Sequence, residues 1–309
     1  MPKEPKGGVS RCAGRSTMAK KVWACWIVCC CLFFLIAPRE IQAQNRMMTD
    51  SAGRDVELPP VIGKVVAAGP PASILLYTLA PEKMVGWASA PHPDEKDLLS
   101  APVRDLPEYG RLTGRGGTAN IENILKFEPD VIIDVGSTSQ TYVSLANNTQ
   151  AQIGVPYLLF DGRLSSTAAT YRALGKALGV EARAEELARY SEQIMDGVAL
   201  RLAGLPSSER PKVYYARGPD GLQTGLEGSI NLEALDYVGA YNVASAAGKG
   251  GLTQVSIEQV LSWDPDVILT FDAGFYRKVE TDPLWAQISA VRNGRIFKAP
   301  PVLDRKSVV

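Results

Sequence analysis

Two stretches of this chain, IENILKFEPDVIID (121–134) and IEQVLSWDPDVILT (257–270), repeat one pattern of apolar and polar residues. In each copy the first five residues place isoleucine, valine or leucine at i, i+3 and i+4, the spacing of one face of a helix. A proline then ends the helix, and an aspartate with an apolar triplet begins a buried strand. The sequence therefore predicts the same helix-to-strand unit twice, 136 residues apart between positions 121 and 257.

Further strand signals surround each copy. They are KVVAA (64–68), KMVGWA (83–88) and PYLLF (156–160) around the first, and KVYYA (212–216) and RIFKA (295–299) around the second. TDSAGRDVELPP (49–60) alternates around an Ala-Gly turn and predicts a hairpin. Strands that alternate with helices indicate parallel sheets covered on both faces. Because the offset far exceeds solenoid periods, a whole lobe is duplicated.

The region between the lobes carries helix signals. Over EARAEELARYSEQIMDGVALRLAGL (181–205), apolar residues recur at helical spacing among strong helix formers. A helix of about 22 residues would be about 33 Å long. The predicted fold class is α/β, with two Rossmann-like lobes with parallel sheets joined by one long α-helix. The N-terminal lobe spans 47–165, the linking helices 166–205 and the C-terminal lobe 206–309.

The start of the chain has the three parts of a secretory signal. In MAKKVWACWIVCCCLFFLIAPREIQAQ (18–44), two lysines precede an apolar run from Val22 to Ala37, and Ala43 offers a small residue for cleavage. We expect residues 1–43 to be a signal peptide, with translation starting at Met18 and residues 1–17 an upstream extension. A retained membrane anchor is the alternative, but the run of 16 residues is shorter than the roughly 20 that span a bilayer.

Cysteine usage and charge exclude several classes. All five cysteines precede residue 32, so the rest of the chain can form neither a disulfide nor a thiolate metal site. Lipid attachment at one of Cys29 to Cys31 lacks the small residues it would want before the cysteine. Lys+Arg and Asp+Glu balance at 33 each, which disfavours a nucleic-acid partner.

The repeated unit also places one carboxylate in each lobe, at Glu122 and Glu258. An acidic residue in the first turn of a helix is stabilised by the helix dipole by about 0.3–1 kcal/mol, which is a structural explanation. A functional explanation is that two matching carboxylates dock on a two-fold symmetric basic partner. The sequence alone leaves both explanations open.

The order of these features resembles the periplasmic binding proteins of ABC importers, in the long-helix, class III branch for iron–siderophore, haem and cobalamin complexes. The resemblance rests on the leader, the hairpin, the Pro-Asp strand of each lobe, the long helix and TDPLWAQISAVRNGRIF (281–297), and it covers about 47–300. It implies a monomer in the periplasm without a resident cofactor. It also implies a ligand between the lobes and a partner permease dimer with its ATPase in the inner membrane.

The resemblance carries two statements about particular residues. Glu122 and Glu258 match the glutamates with which such proteins dock on permease arginines. Family members usually continue past the APP of residues 299–301 through further helices, whereas this chain ends LDRKSVV. We therefore expect the C-terminal lobe to be truncated or short of its last helices.

Ligands of open parallel sheets bind outside the carboxyl ends of the strands, which selects the loops that follow them. The candidate ligand-binding residues are Trp87, His92, Arg115, Gly116, Gly117, Ser137, Tyr142, Arg217, Thr224, Ser229 and Tyr276. Each has a structural explanation as well, because glycines form turns, serines cap helices and arginines are often solvated. Arginine suits carboxylate or oxyanion ligands because its planar fork makes two charge-assisted bonds.

The residue types also constrain the cargo. One histidine, His92, and no cysteine after residue 31 disfavour direct binding of a bare metal ion, which wants several such ligands. We therefore predict a chelated metal complex, namely a ferric siderophore, haem or a corrinoid, with molybdate or tungstate as the alternative. A two-lobed α/β enzyme is the rival class. It is disfavoured because the chain has no GxGxxG, no Walker lysine and no GxSxG.

Overall fold

The computed structural model describes residues 44–91, 93–113 and 117–299. It shows two α/β lobes with parallel sheets, joined by a long helix, as the sequence predicted. The expected signal peptide (1–43) and the end of the chain lie outside the described residues.

The N-terminal lobe begins with the predicted hairpin of β1 (Arg46–Thr49) and β2 (Asp55–Leu58), which pair antiparallel. A parallel sheet follows, in the order β3 (Val65–Ala67), β4 (Val131–Gly136), β5 (Tyr157–Asp161). Its helices are α1 (Pro70–Leu79), α2 (Ala101–Arg104), α3 (Ile121–Leu125) and α4 (Gln140–Ile153). Buried side chains form a cluster on each face of the sheet. The hairpin covers the β5 edge, because Asp50 accepts a hydrogen bond from the Leu159 N–H at 3.1 Å.

Two packed helices lead out of this lobe, α5 (Thr167–Leu178) and the long α6 (Glu181–Leu202) of 22 residues. They approach closely at Gly175, where an added Cβ would overlap the Cβ of Ala184. Arg172 on α5 also donates to Glu185 at 2.7 Å and to Glu192 at 2.6 Å on α6. Close packing and these ion pairs therefore hold α5 against α6.

The C-terminal lobe contains a four-stranded parallel sheet and a small antiparallel pair. Its elements are β6 (Lys212–Ala216), β7 (Gln223–Gly225), α7 (Glu233–Tyr237), β8 (Tyr241–Asn242), β9 (Leu252–Gln254), α8 (Ile257–Trp263), β10 (Val267–Thr270), α9 (Ala273–Lys278), α10 (Ser289–Arg292) and β11 (Ile296–Lys298). The parallel order is β11-β10-β6-β8, and β7 pairs with β9. The central strand β6 therefore corresponds to β3 of the first lobe, and β10 to β4.

The repeated sequence unit folds the same way in both lobes. Glu128 and Asp264, which precede the two prolines, are the non-glycine residues of the described chain with positive φ, at 50° and 39°. Such a backbone is uncommon for residues with a Cβ. In lobe 2 it is supported by Ser289, whose N–H and hydroxyl both donate to Asp264 at 2.7 Å. The matching turns show that the duplication extends to backbone conformation.

The aspartate after each proline joins two strands. Asp130 accepts from the Lys64 N–H at 2.8 Å, and Asp266 accepts from the Lys212 N–H at 2.8 Å. Each carboxylate thus fixes the start of the neighbouring strand. Because this hydrogen bond is the same in both lobes, it explains why Pro-Asp recurs at this point of each lobe.

The prediction of a strand over KMVGWA (83–88) is wrong, because the structure has no strand there. Its residues make only single bridges, from Met84 to Val65 and from Trp87 to Glu108. After one pairing with β3 the segment turns to another partner, since the Trp87 N–H donates to the Pro107 carbonyl at 2.8 Å. Residues 83–88 therefore form a loop and not a further strand of the sheet.

Candidate functional site

The two lobes contact one another beside the carboxyl ends of their strands. The Leu164 N–H, just after β5, donates to the carboxylate of Glu233, the first residue of α7, at 2.7 Å. The ends of β4 and β5 are also tied together, because the Gly162 N–H donates to the Gly136 carbonyl at 2.9 Å. A solute held between the lobes would therefore meet the loops that follow these strands.

On the lobe 2 side, Arg217 follows the last residue of β6 and is half-buried. Its guanidinium carbon lies 5.6 Å from the centroid of the Tyr215 ring. That ring meets Phe271 edge-on, with centroids 5.5 Å apart. Phe271 follows the adjacent strand β10 and is 44% exposed. Lobe 2 thus presents a cation beside an aromatic surface, a combination suited to carboxylate-bearing ligands with apolar parts.

Asn231 connects Arg217 to the interior. Its Oδ1 accepts from Arg217 Nη1 at 3.3 Å, and its Nδ2 donates to Ser229 Oγ at 3.1 Å. Ser229 is 1% exposed. Sequence reasoning selected Arg217 and Ser229 but missed the asparagine between them. The available signal was its position, two residues after Ser229 in the loop before α7.

On the lobe 1 side, a buried polar group stands behind the end of β3. The Asp134 carboxylate, 4% exposed, accepts from the hydroxyls of Tyr157 at 2.9 Å and Thr113 at 3.3 Å. Burial raises the pKa of Asp134. A Cβ at Gly69 would lie 2.8 Å from the Thr113 hydroxyl, so glycine is needed there. Asp134 therefore fixes the loop at residues 111–113 against the carboxyl end of β3.

We expect Asp134→Asn to make the free energy of unfolding less dependent on pH. A carboxyl whose pKa is raised by folding stabilises the protein fully below its unfolded pKa, near 3.8, and loses that contribution as the pH rises through the folded pKa. The wild-type protein should therefore lose stability relative to Asp134→Asn above about pH 4. Urea unfolding across acidic to neutral pH measures this difference, and parallel profiles would contradict it.

Asp134→Ala should lower the free energy of unfolding by about 1–3 kcal/mol, because the hydroxyls of Tyr157 and Thr113 lose their acceptor.

The two repeated carboxylates are exposed at the starts of their helices. Asn120 caps α3 by accepting from the Glu122 N–H at 2.9 Å, and Ser256 caps α8 in a capping box with Gln259. A hydrogen bond with Ser256 lowers the pKa of Glu258. Each helix runs back to the start of its strand, so its first turn lies toward the carboxyl edge of the sheet. Both lobes therefore carry an exposed carboxylate toward the carboxyl edge of the sheet.

The predicted ligand-binding residues divide into three groups. His92, Arg115 and Gly116 lie outside the described residues. Trp87, Thr224 and Ser229 are buried. The remaining five have exposed surface and follow strands or lie in adjoining loops and helices: Gly117, Ser137, Tyr142, Arg217 and Tyr276. Hydrogen bonds through Asn231 join two of the predicted residues, Arg217 and the buried Ser229, in one network.

The side chains of the three buried positions lie in the protein interior. Trp87 is 2% exposed, and its Nε1 donates to the Val103 carbonyl at 2.8 Å. Thr224 lies within β7 and is 0% exposed, with no hydrogen-bond partner for Oγ1 among the described residues. Ser229 stands behind Asn231. A residue close to a strand end in sequence can still point into the core, which the sequence pattern did not resolve.

Within residues 44–91, 93–113 and 117–299, no group of three or more histidine, cysteine, aspartate and glutamate side chains is placed to hold a metal ion. Nor does this part of the chain contain a helix of the length and apolarity that would cross a membrane.

Comparison with known proteins adds independent information. The family model described as periplasmic binding protein matches residues 67–303. The structure of an ABC transporter solute binding protein from Sulfurospirillum deleyianum is 30% identical, with a TM-score of 0.73 over 82% of this chain and 80% of that one.

Curated relatives point the same way. The molybdate-binding protein MolA of Haemophilus influenzae is 28% identical over 279 residues, covering 83% of this chain and 78% of the relative. The Fe(3+)-citrate-binding protein YfmC of Bacillus subtilis is 25% identical over 212 residues, covering 67% and 64%. These relatives are binding proteins, which confirms the prediction that the chain is not an enzyme.

Proposed function

This chain belongs to the periplasmic binding protein family, and from that premise we propose that it captures a chelated metal complex between its lobes for an ABC importer. The complex would be a ferric siderophore, haem or a corrinoid. The metal enters as part of the cargo, and the protein needs no resident cofactor. Its partner is a membrane permease with its ATPase, and the receptor acts as an exported monomer in the periplasm.

The observation that carries this proposal is the pairing of Arg217 with an aromatic surface at the carboxyl ends of β6 and β10. Arg217 lies 5.6 Å from the Tyr215 ring centroid, and the partly exposed Phe271 packs against that ring. The guanidinium can bind a carboxylate of the complex, while the rings contact its apolar parts. YfmC, which by its name binds iron citrate, supports a ligand that carries carboxylates.

An oxyanion such as molybdate or tungstate is the second candidate. It is favoured by the similarity to MolA, whose name identifies a molybdate-binding protein. Arg217 suits this ligand as well, because a guanidinium donates to two oxygens of one anion. The two candidates differ in size and in apolar surface. Phe271, 44% exposed, would contact a large complex but would contribute little to a small anion.

We further propose that Glu122 and Glu258 dock the loaded protein on the permease. Both are exposed, and both occupy the first turn of a capped helix on the ligand side of a lobe. Two equivalent carboxylates, one per lobe, match a permease dimer with two equivalent basic sites. The structural alternative is stabilisation by the helix dipole alone.

Titration of the purified protein with ferric citrate, haemin, cyanocobalamin and molybdate tests the ligand class. We expect saturable quenching of tryptophan fluorescence by one of the metal complexes, with a dissociation constant below about 10 μM, confirmed by calorimetry. Binding of molybdate alone would select the second candidate. Absence of binding to all four probes would contradict the proposed function.

A further inference from the structure

The short helix α7 contacts segments outside its own lobe through two side chains on one face. Glu233 and Tyr237 are four residues apart, the spacing that brings side chains together on a helix. The Glu233 carboxylate accepts from the Leu164 N–H at 2.7 Å, and the Tyr237 hydroxyl donates to the Met195 carbonyl at 2.7 Å. Leu164 follows the last strand of lobe 1, and Met195 lies on the long helix α6. One face of α7 therefore holds both lobe 1 and the connecting helix.

The segment that Glu233 holds is a turn fixed by its own hydrogen bonds. At the end of β5 the Asp161 carboxylate accepts from the Ser166 hydroxyl at 2.9 Å. The Asp161 backbone carbonyl accepts from the Thr170 hydroxyl at 2.8 Å, which joins the end of the strand to α5. Leu164 lies between these two attachments. Movement of lobe 2 away from lobe 1 therefore has to break the bond to Glu233 or displace the whole turn.

α7 is also fixed within lobe 2, on both sides. Leu232, which precedes it, is 1% exposed and packs so close to β7 that a Cβ at Gly225 would lie 3.0 Å from its side chain. After α7, Asn242 of β8 pairs with Val213 of β6, and its amide nitrogen donates to the Gly225 carbonyl at 3.1 Å. A change in the position of lobe 2 therefore moves α7 with it.

We propose that α7 is an inter-lobe latch, in which Glu233 and Tyr237 restrict the width of the cleft and slow the release of a bound solute. One attachment would let lobe 2 pivot freely about that point, whereas two attachments leave only the axis through both. The structural alternative is that Glu233 merely stabilises the first turn of its helix. That alternative affects the stability of lobe 2 but not its position relative to lobe 1.

Distances between spin labels on the two lobes, measured by electron paramagnetic resonance, test the latch without a solute. Labels on Ser144→Cys of α4 and Ser262→Cys of α8 report this distance, and both serines are exposed. All five native cysteines precede residue 32, so the protein without the added cysteines gives the background. We expect a distribution of distances about 1.5- to 2-fold wider in Glu233→Ala, and wider again when Tyr237→Phe is added, because each change removes one attachment. An unchanged width in the double variant would overturn the proposal.

Two control variants separate the latch from a general effect of charge. Glu233→Gln keeps an oxygen that can accept from the Leu164 N–H, so its distribution should stay close to that of the wild type. Glu227→Ala removes an exposed carboxylate that pairs with Lys249 within lobe 2, at 3.5 Å, and we expect no widening. Widening by Glu227→Ala equal to that by Glu233→Ala would overturn the proposal. Thermal unfolding checks that each variant is folded.

A measurement with a solute adds a functional readout, and it alone rests on the proposed function. The wild-type probe, whichever of ferric citrate, haemin, cyanocobalamin and molybdate binds, should dissociate about 3- to 10-fold faster from Glu233→Ala, with an association rate changed by less than about 2-fold. Equal dissociation rates would overturn the role of the latch in holding the solute. If the wild type binds none of the four, the proposed function fails, and the label distances still decide whether α7 restrains the lobes.

Discussion

Charge reversal of both glutamates, Glu122→Arg together with Glu258→Arg, is expected to reduce solute uptake by roughly 100-fold or more. The affinity of the purified protein for the solute should stay within about 2-fold of the wild type, because both side chains are exposed and belong to separate capped helices. The reason for the large effect is like-charge repulsion at an interface, which costs several kcal/mol. Uptake by cells or reconstituted vesicles, beside calorimetry of the free receptor, measures the two quantities separately.

Glu181→Arg supplies the control. Glu181 is another exposed acidic residue in the first turn of a helix, at the start of α6. Reversal there removes the same favourable interaction with a helix dipole, worth about 0.3–1 kcal/mol, without touching the repeated unit. We expect normal uptake by this variant. Normal uptake by the double variant as well would show that Glu122 and Glu258 only stabilise their helices and do not dock on the permease.

Each single reversal should impair uptake less than the double reversal does. The two carboxylates lie on different lobes, so each would engage a different half of a permease dimer. Losses that add in free energy would indicate two independent contacts. A single reversal as severe as the double would indicate that docking requires both contacts together.

The architecture followed from the sequence because its determinants are local. The prolines, the apolar triplets and the helix formers of 181–205 act through the backbone within a few residues. The structure adds a physical reason for the Pro-Asp junctions: Asp130 and Asp266 hold the starts of the neighbouring strands. The positive φ of Glu128 and Asp264 was not predicted, because neither residue type signals it.

The site was less predictable because its contacts join residues that are distant along the chain. The Thr113 hydroxyl, next to Gly69, donates to the Asp134 carboxylate, although the two residues are 21 positions apart along the chain. Asn231 reaches Arg217 across 14 residues. No spacing rule connects such positions, whereas the rule that ligands bind after strands selects Arg217, which follows β6 and is half-buried. The same rule also selects Trp87, but the loop that this residue pairs with turns its side chain into the interior.

Replacement of Arg217 by alanine is expected to weaken binding of the solute by about 10- to 100-fold, the effect of losing hydrogen bonds to a charged group. Arg217→Lys should fall between alanine and the wild type, because lysine keeps the charge but lacks the planar fork. Raising the ionic strength should weaken binding to the wild type more than binding to Arg217→Ala, since part of the attraction is electrostatic. Calorimetric titrations with the probe that the wild type binds, at low and high salt, measure both effects.

The control for Arg217 is Arg201→Ala, an exposed cation near the end of α6. It removes the same net charge from the protein without altering the carboxyl edge of lobe 2, so any long-range effect of charge is measured separately. Because Arg217 also packs on Tyr215, its removal disturbs a ring contact as well as a charge. Arg217→Met retains an unbranched apolar stem, so it should bind the anionic probe as poorly as Arg217→Ala if the charge is decisive. Recovery of affinity by methionine would show that Arg217 acts through packing, and the anionic character of the solute would then have to be abandoned.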